Sequence, residues 1–174
     1  EVKPNRGHEL LAELEKNFHV TVVTQNIDNL HERAGSSHII HLHGELTKVC
    51  SSRDPHNPHY IKELKPEEYE VKMGDKAGDG TQLRPFIVWF GEAVPEIETA
   101  IQYVEKADIF VIIGTSLAVY PAASLLHYAP EGIPVFVIDP KIPQQAHRMG
   151  YHLIEKGASE GVQELKNILL SETR

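Results

Sequence analysis

The chain has a single cysteine, Cys50, in 174 residues. That excludes an intrachain disulfide and any zinc site built on several thiolates. Aromatic residues are scarce at 7%, with one tryptophan, Trp89, so the core must rest on aliphatic side chains. Basic residues are outnumbered, 17 Lys and Arg against 25 Asp and Glu, for a formal net charge of −8. Without a block of positive charge the chain lacks the footprint of a nucleic-acid groove, and no nucleic-acid partner is expected. The acidic balance keeps a protein soluble and favours basic peptides at long range. No apolar run approaches the ~20 residues of a membrane span, and no secretory leader is recognisable. No membrane partner and a cytoplasmic location are therefore expected. What is present is ordinary for a globular chain, with 41% hydrophobic and 24% charged residues. The length suits one domain with a small inserted lobe.

Leu10, Leu11, Leu14 and Phe18 share one helical face between about Asn5 and Phe18. Val20 to Val23 reads as a short buried strand, and Ile39 to Leu42 as a weaker one. From Gly44 to Arg84 periodicity fades: Asp54-Pro55 and Asn57-Pro58 mark turns, Pro66 to Met73 fits a short helix, and Gly74 to Thr81 is a glycine-rich loop. Order returns at Phe86 to Phe90, followed by a helical stripe of Ile97, Ala100, Ile101 and Val104. Ile109 to Ile113 and Val135 to Ile138 are continuous Val/Ile-rich runs, the pattern of parallel strands covered on both faces. A helix is expected to open at Pro121, and a last one, lined by Val162, Leu165, Ile168 and Leu169, has Ser159 as its expected N-cap. Strand and helix alternate, which predicts an α/β fold with a doubly wound parallel sheet and helices on both faces.

Chemistry concentrates where strands end. Thr24 to His31 follows the first strand with amide, carboxylate and imidazole groups, and in open α/β sheets ligands bind beyond the carboxyl ends of strands. His41-Leu42-His43-Gly44-Glu45 is a second polar cluster. His41 and His43 flank Leu42 on an extended segment and are read as poor joint metal ligands. His43, followed by glycine, is the candidate for a reactive imidazole acting as a general base, although such a histidine can equally be structural. Gly114-Thr115-Ser116 ends the strongest strand: either a ligand loop, where glycine admits close approach and hydroxyls bind ribose or phosphate, or a plain capped turn. With Ala118 it also approximates a nucleophile elbow, and Asp139 and His147 or His152 follow in hydrolase order; three residues between Ser116 and the expected helix count against that reading. Asp75, Asp79 and Gly80 suggest a calcium loop, but Ala77 and Phe86 stand where oxygens are required. Cys50, His56 and His59 match no zinc spacing.

Taken together, Lys3-Pro4-Asn5, Thr24 to His31, His41 to Glu45, Leu83-Arg84-Pro85, Val88 to Glu92, Gly114-Thr115-Ser116 and Gly157-Ala158 resemble successive sirtuin motifs, in order and almost end to end. Sirtuins are NAD-dependent protein lysine deacylases with a Rossmann-like large domain and a small zinc-bearing one. The resemblance implies a Rossmann-like NAD-binding domain over 1–43 and 85–174 and a small inserted lobe over 44–84. It implies that Gln25, Asn26, Ile27 and Asp28 contact the nicotinamide side of NAD, with His43 as catalytic base. Gly114, Thr115 and Ser116 would hold the adenosine ribose side, with Asp139, Pro140 and Lys141 at the next strand end and Ala158 near the adenine. Val88, Phe90, Gly91 and Glu92 would pair in β fashion with an acyl-lysine peptide. The implied chemistry is displacement of nicotinamide from the ribose by the acyl oxygen, then attack by a ribose hydroxyl deprotonated by His43. Products would be free lysine, nicotinamide and O-acyl-ADP-ribose. The alternatives are an NAD hydrolase and a non-enzymatic NAD or ADP-ribose-binding module.

Two departures from the family pattern stand out. The glycine-rich G-A-G-I-S motif does not occur in these 174 residues. Because that motif cradles the pyrophosphate in the family, the piece alone is expected to be inactive and weak in NAD binding. Of the family's two C-x-x-C pairs only Cys50 remains; Arg53, Lys76 and Asp79 occupy the other places, so NAD is expected as cofactor and zinc is not.

Overall fold

The structure is a computed structural model that describes residues 2–115, 122–142, 144 and 146–172. In chain order it contains α1 (Arg6–Leu14), β1 (Val22–Thr24), α2 (Leu30–Ala34), β2 (Ile39–His41), β3 (Gly44–Ser51), β4 (Lys62–Glu63) and β5 (Leu83–Ile87). There follow α3 (Glu96–Val104), β6 (Phe110–Ile113), α4 (Ala122–Leu125), β7 (Val135–Ile138), β8 (His152–Ile154) and α5 (Ala158–Glu172). The chain forms two compact units: Glu1–Val23 with Leu30–Ile40 and Glu96–Arg174, and Thr24–Asn29 with His41–Pro95.

In the first unit β6, β7 and β8 make a parallel sheet in that order, with Ile113 opposite Ile138 and Ile138 opposite Ile154. Successive side chains of a strand point to opposite faces. Phe136, Ile138 and Ile154 accordingly meet Leu10 of α1 and Val162, Leu165 and Leu169 of α5. Ile112, Val135 and Val137 pack on the other face with Leu126, just after α4. All four residues of β7 are buried, as the unalternating sequence run requires of a central strand. α1 starts at a capping box: the Asn5 side chain accepts the His8 amide, and the His8 ring accepts the Asn5 amide. β1 and β2 pair as parallel neighbours, with the Val22 amide on the His38 carbonyl and the Leu42 amide on the Thr24 carbonyl.

The second unit carries the antiparallel sheet β4-β3-β5. Its eight-residue β3 was not legible in the sequence. A register shift between Gly44 and Val49 breaks the alternation, so its burial follows no period of two.

Several expected boundaries move. The strand placed at Phe86–Phe90 runs instead from Leu83 to Ile87, because its partner is β3. The first helix ends at Leu14, and the residues up to Phe18 form turns. The helix expected at Pro66–Met73 is only a 3-10 turn, Pro66–Glu68. β8 was not anticipated, since His152 at its start is exposed. Ser159 is not a cap but lies inside the first turn of α5, which begins at Ala158. Pro121, the expected opening of α4, lies outside the described residues. Among the described residues no helix is long and apolar enough to cross a membrane.

Gly161 tests the α5–sheet contact. A Cβ there would lie 2.2 Å from Ile138 Cγ2, at a side chain only 1% exposed. Alanine in an exposed helix interior gains about 1 kcal/mol over glycine, whereas overpacking a filled core costs about 1–3 kcal/mol. At so short a distance the overpacking wins. Gly161→Ala should lower the denaturation midpoint in a urea melt, and a stabilised variant would refute this packing.

Candidate active site

The polar segment Thr24–Asn29 and the start of β3 belong to one unit, and backbone bonds hold them together. The Leu42 amide donates to the Thr24 carbonyl at 3.0 Å and the Leu46 amide to the Ile27 carbonyl at 2.8 Å. The Thr24 hydroxyl accepts the Asn26 amide at 3.0 Å, an ST turn that bends the chain directly after β1. His43 Nδ1 lies 3.2 Å from the Gln25 carbonyl, and His41 Nδ1 lies 3.2 Å from the Asn26 carbonyl. A carbonyl can only accept, so in both bonds Nδ1–H donates, and Nε2 of neutral His43 carries the basic lone pair. The extended conformation expected through His43 stops at His41: Leu42 and His43 form a turn. The two imidazoles bond the carbonyls of neighbouring residues, Asn26 and Gln25. The tie from His43 to residues 25–28 runs through the Gln25 backbone.

Gly44 sets the next contact. Its φ is +80°, and a Cβ would lie 2.1 Å from the Phe86 carbonyl oxygen. Only glycine permits that approach. As a result β3 and β5 converge at Gly44 and Ile87, and the His43 carbonyl accepts the Val88 amide at 2.9 Å. The segment after Val88 is a turn, with the Glu92 amide on the Trp89 carbonyl at 3.0 Å. Trp89 and Phe90 are exposed there, Phe90 completely. Glu92 Oε1 and Oε2 accept the Arg84 guanidinium at 2.9 and 3.1 Å. That pairing, aided by the Trp89 amide, holds the Glu92 carboxyl below the usual carboxylate range. Arg84 had been noticed only as part of a motif, and no local pattern pairs it with Glu92.

The first unit brings together the ends of three parallel strands. Gly114, exposed with φ +62° and open space where a Cβ would stand, follows β6, and its amide donates to the Ile138 carbonyl at 2.9 Å. Asp139 follows β7, and its Oδ1 accepts the Lys141 amide at 2.7 Å, which folds Asp139-Pro140-Lys141 into a turn. Ala158 opens α5, just after β8. Thr115 is half-buried beside Gly114. Ser116, named both as a cofactor contact and as a possible nucleophile, lies outside the described residues.

The family model of the Sir2 family matches residues 1–121. The chain belongs to the Sir2 family. It is 81% identical over 170 residues to an NAD-dependent protein deacylase of Bacteroides thetaiotaomicron, covering 98% of this chain and 73% of that protein. A Sir2 homolog–NAD complex superposes with a TM-score of 0.80 at 34% identity, covering 99% of this chain and 67% of that one. A Sir2–p53 peptide–NAD+ structure gives 0.75 at 30% identity, with coverage of 95% and 70%. The α/β architecture with a parallel, doubly covered sheet is thus the Rossmann-like fold of Sir2 proteins.

Residues in the places of the family's zinc cysteines do not suit a zinc ion. Cys50 is 1% exposed, its Sγ lies 3.8 Å from the Pro85 carbonyl, and it is the chain's single cysteine, so it cannot supply the several thiolates of such a site. Arg53 and Lys76 are cations. Asp79 is already engaged: Oδ2 accepts the Ser51 hydroxyl at 2.6 Å, and Oδ1 accepts the Thr81 amide and hydroxyl at 3.0 and 2.7 Å. Ser51 Oγ in turn accepts the Arg53 and Asp54 amides, each at 3.0 Å. These hydrogen bonds lower the Asp79 pKa from 3.8 to about 2, with Ser51 the largest cause. Ser51, fully buried, gave no sequence signal because Asp79 is 28 residues away.

Gly44→Ala tests the convergence of His43 with the loop. A left-handed φ on a residue with a Cβ and the clash with Phe86 should together cost about 2–6 kcal/mol. The midpoint should fall in a denaturant melt followed by Trp89 fluorescence. A wild-type midpoint would mean that β3 and β5 do not approach as described.

Proposed function

We propose that this chain carries the base and the peptide-binding edge for NAD-dependent removal of acyl groups from protein lysines, giving nicotinamide and O-acyl-ADP-ribose, with turnover expected only when the family's glycine-rich motif is joined to it. The observation that carries the reading is the double tether of His43. Its ring is oriented by the Gln25 carbonyl, and its own carbonyl holds Val88 at the start of the exposed loop. A candidate base and a candidate peptide edge are thereby fixed to each other through backbone. The name of the Bacteroides thetaiotaomicron relative and the peptide and NAD+ of the Sir2–p53 complex support the same reading.

NAD supplies an electrophilic ribose carbon and the hydroxyls that end up carrying the acyl group. The residues proposed to hold it fit a nucleotide. In the first unit, the open backbone at Gly114 with Thr115, the Asp139-Pro140-Lys141 turn and Ala158 would take the adenosine end. In the second, Gln25, Asn26, Ile27 and Asp28 would take the nicotinamide end. His43 Nε2 accepts a proton from a ribose hydroxyl while Nδ1 stays bonded to Gln25. Phe90, Gly91 and Glu92, with the Val88 carbonyl, present backbone groups to an extended acyl-lysine peptide, a mode that tolerates many sequences. The Val88 amide is already taken by His43. A single cysteine and NAD as co-substrate suit a cytoplasmic protein. We further infer that the second unit needs no structural zinc, a reading supported by the committed oxygens of Asp79.

With the family's glycine-rich motif joined to the chain, His43→Ala should lower deacylation by about 10²–10⁴-fold, the range of a general base, while NAD binding followed calorimetrically is retained. Mass spectrometry of the wild-type products decides the reaction class. O-acyl-ADP-ribose supports deacylation, and plain ADP-ribose with intact acyl-lysine would replace it with NAD hydrolysis.

For the metal-free lobe, elemental analysis should find far less than one zinc per chain, and EDTA should leave the melting temperature unchanged. Because the folded pKa of Asp79 is depressed, its contribution to stability is full above the ordinary value of 3.8 and is lost as pH falls towards about 2. Asp79→Asn should lower stability at neutral pH and flatten that acid limb. Stoichiometric zinc would overturn this reading.

A further inference from the structure

The stretch Arg84–Glu92 contains a device that backbone pairing with a peptide does not by itself require. Trp89, Phe90, Gly91 and Glu92 form a four-residue turn closed by the Glu92 amide on the Trp89 carbonyl at 3.0 Å. Gly91, with φ +86°, sits at the third position, where such turns demand a left-handed residue. Glu92 Oε2 also accepts the Trp89 amide at 3.1 Å, so its side chain closes the turn a second time. Arg84 then grips both carboxylate oxygens, and its NH2 group donates further to the Ile87 carbonyl at 2.9 Å, just ahead of the loop. Both ends of the Val88–Gly91 segment are thus fastened to one guanidinium. That guanidinium is anchored on β5 where Arg84 pairs with Cys50 of β3.

A lone exposed ion pair contributes little. This one differs in three respects. It is bidentate, the Arg84 side chain is only 21% exposed, and each partner makes a further bond to loop backbone. Phe90, at the second position of the turn, is held wholly in solvent although it is a large apolar side chain. Nothing in the packing of this unit calls for that exposure.

We propose that Arg84 and Glu92 are positioning residues for substrate. Their fork holds the Trp89–Glu92 turn rigid, so that the Phe90 and Gly91 backbone is set in advance as a docking edge for an extended acyl-lysine peptide, with Phe90 as an apolar contact beside it. The inference rests on the deacylase reading for the identity of the peptide, but the rigidity of the turn does not. An edge ordered beforehand loses less entropy when the peptide binds, so the clamp acts on peptide affinity.

Trp89 is the only tryptophan of the chain and lies in the turn, so its fluorescence reports the clamp directly. Arg84→Lys keeps the charge but loses the fork; Glu92→Gln keeps the shape and one acceptor. In the free protein both should raise acrylamide quenching of Trp89 about twofold and lower its anisotropy, while the melting temperature stays close to wild type. In turnover, the KM for an acetyl-lysine peptide should rise about tenfold, equivalent to about 1.4 kcal/mol, with kcat and the KM for NAD within about twofold. The double variant Arg84→Lys with Glu92→Gln should cost scarcely more than either single change, because the first breaks the fork both share. Wild-type quenching in both single variants overturns the inference whatever the activity. So does a loss confined to kcat, or an unchanged peptide KM. Turnover is measured with the family's glycine-rich motif joined to the chain; its absence there would instead overturn the deacylase reading, and the quenching comparison would still decide the clamp.

Discussion

The close approach of Gly44 to the Phe86 carbonyl is the constraint on which the second unit depends. β3 and β5 could pair along Val49–Ser51 without it, since the ladder there needs only ordinary strand residues. At Gly44 the register has shifted, the backbone turns to a left-handed φ, and the strands meet with no room for a side chain. That meeting brings the His43 carbonyl within reach of the Val88 amide. Every later feature of the candidate site uses this fixed point: the ring of His43 hangs from one side of it, and the exposed turn leaves from the other. A one-atom demand at a single residue thus fixes His43 against the strand end that leads into the exposed turn.

The two units are stabilised differently, and composition explains why. The first has β7 buried along its whole length, with aliphatic side chains on both faces, and needs nothing but packing. The second has few buried apolar residues over a long polar stretch. A small unit without a sufficient apolar core needs some other fastening, commonly disulfides or a metal. One cysteine rules out both of the usual thiol solutions. The Ser51–Asp79–Thr81 cluster is the local answer: one carboxylate gathers three donors, and the Ser51 hydroxyl gathers two backbone amides that would otherwise lack partners. Hydroxyl and carboxylate here cross-link loops 28 residues apart in the chain.

Legibility in the sequence followed the range of the interaction. Val135–Ile138 was readable to the residue, because a strand covered on both faces writes its burial into a continuous apolar run. The stripe of α3 was readable because its members repeat within one or two turns. β3 was not, since its register shift erases the alternation that would announce it. Nor were the partners of Asp79 and Glu92, because nothing in a linear pattern joins Ser51 to Asp79. The motif His41–Glu45 was legible as a polar cluster, but the carbonyls that its imidazoles meet were not. The turn at Leu42–His43 carries the second ring to the Gln25 carbonyl, while the first bonds that of Asn26.

That turn also bears on how His43 can act as a base. A histidine whose Nδ1–H is held by a carboxylate gains both direction and a counter-charge for the imidazolium. His43 is held by the Gln25 carbonyl, a neutral dipole that gives direction and fixes the tautomer but leaves any positive charge on the ring without a full counter-ion in that bond. Such an arrangement suits a group that must take a proton and then give it up within the same turnover. It also means that the orientation of the ring is a property of the backbone. No side-chain substitution at Gln25 removes the acceptor, whereas a shift of the chain after Thr24 would. The ST turn formed by Thr24 with the Asn26 amide therefore matters to the orientation of the His43 ring, because it bends the backbone that carries the Gln25 carbonyl.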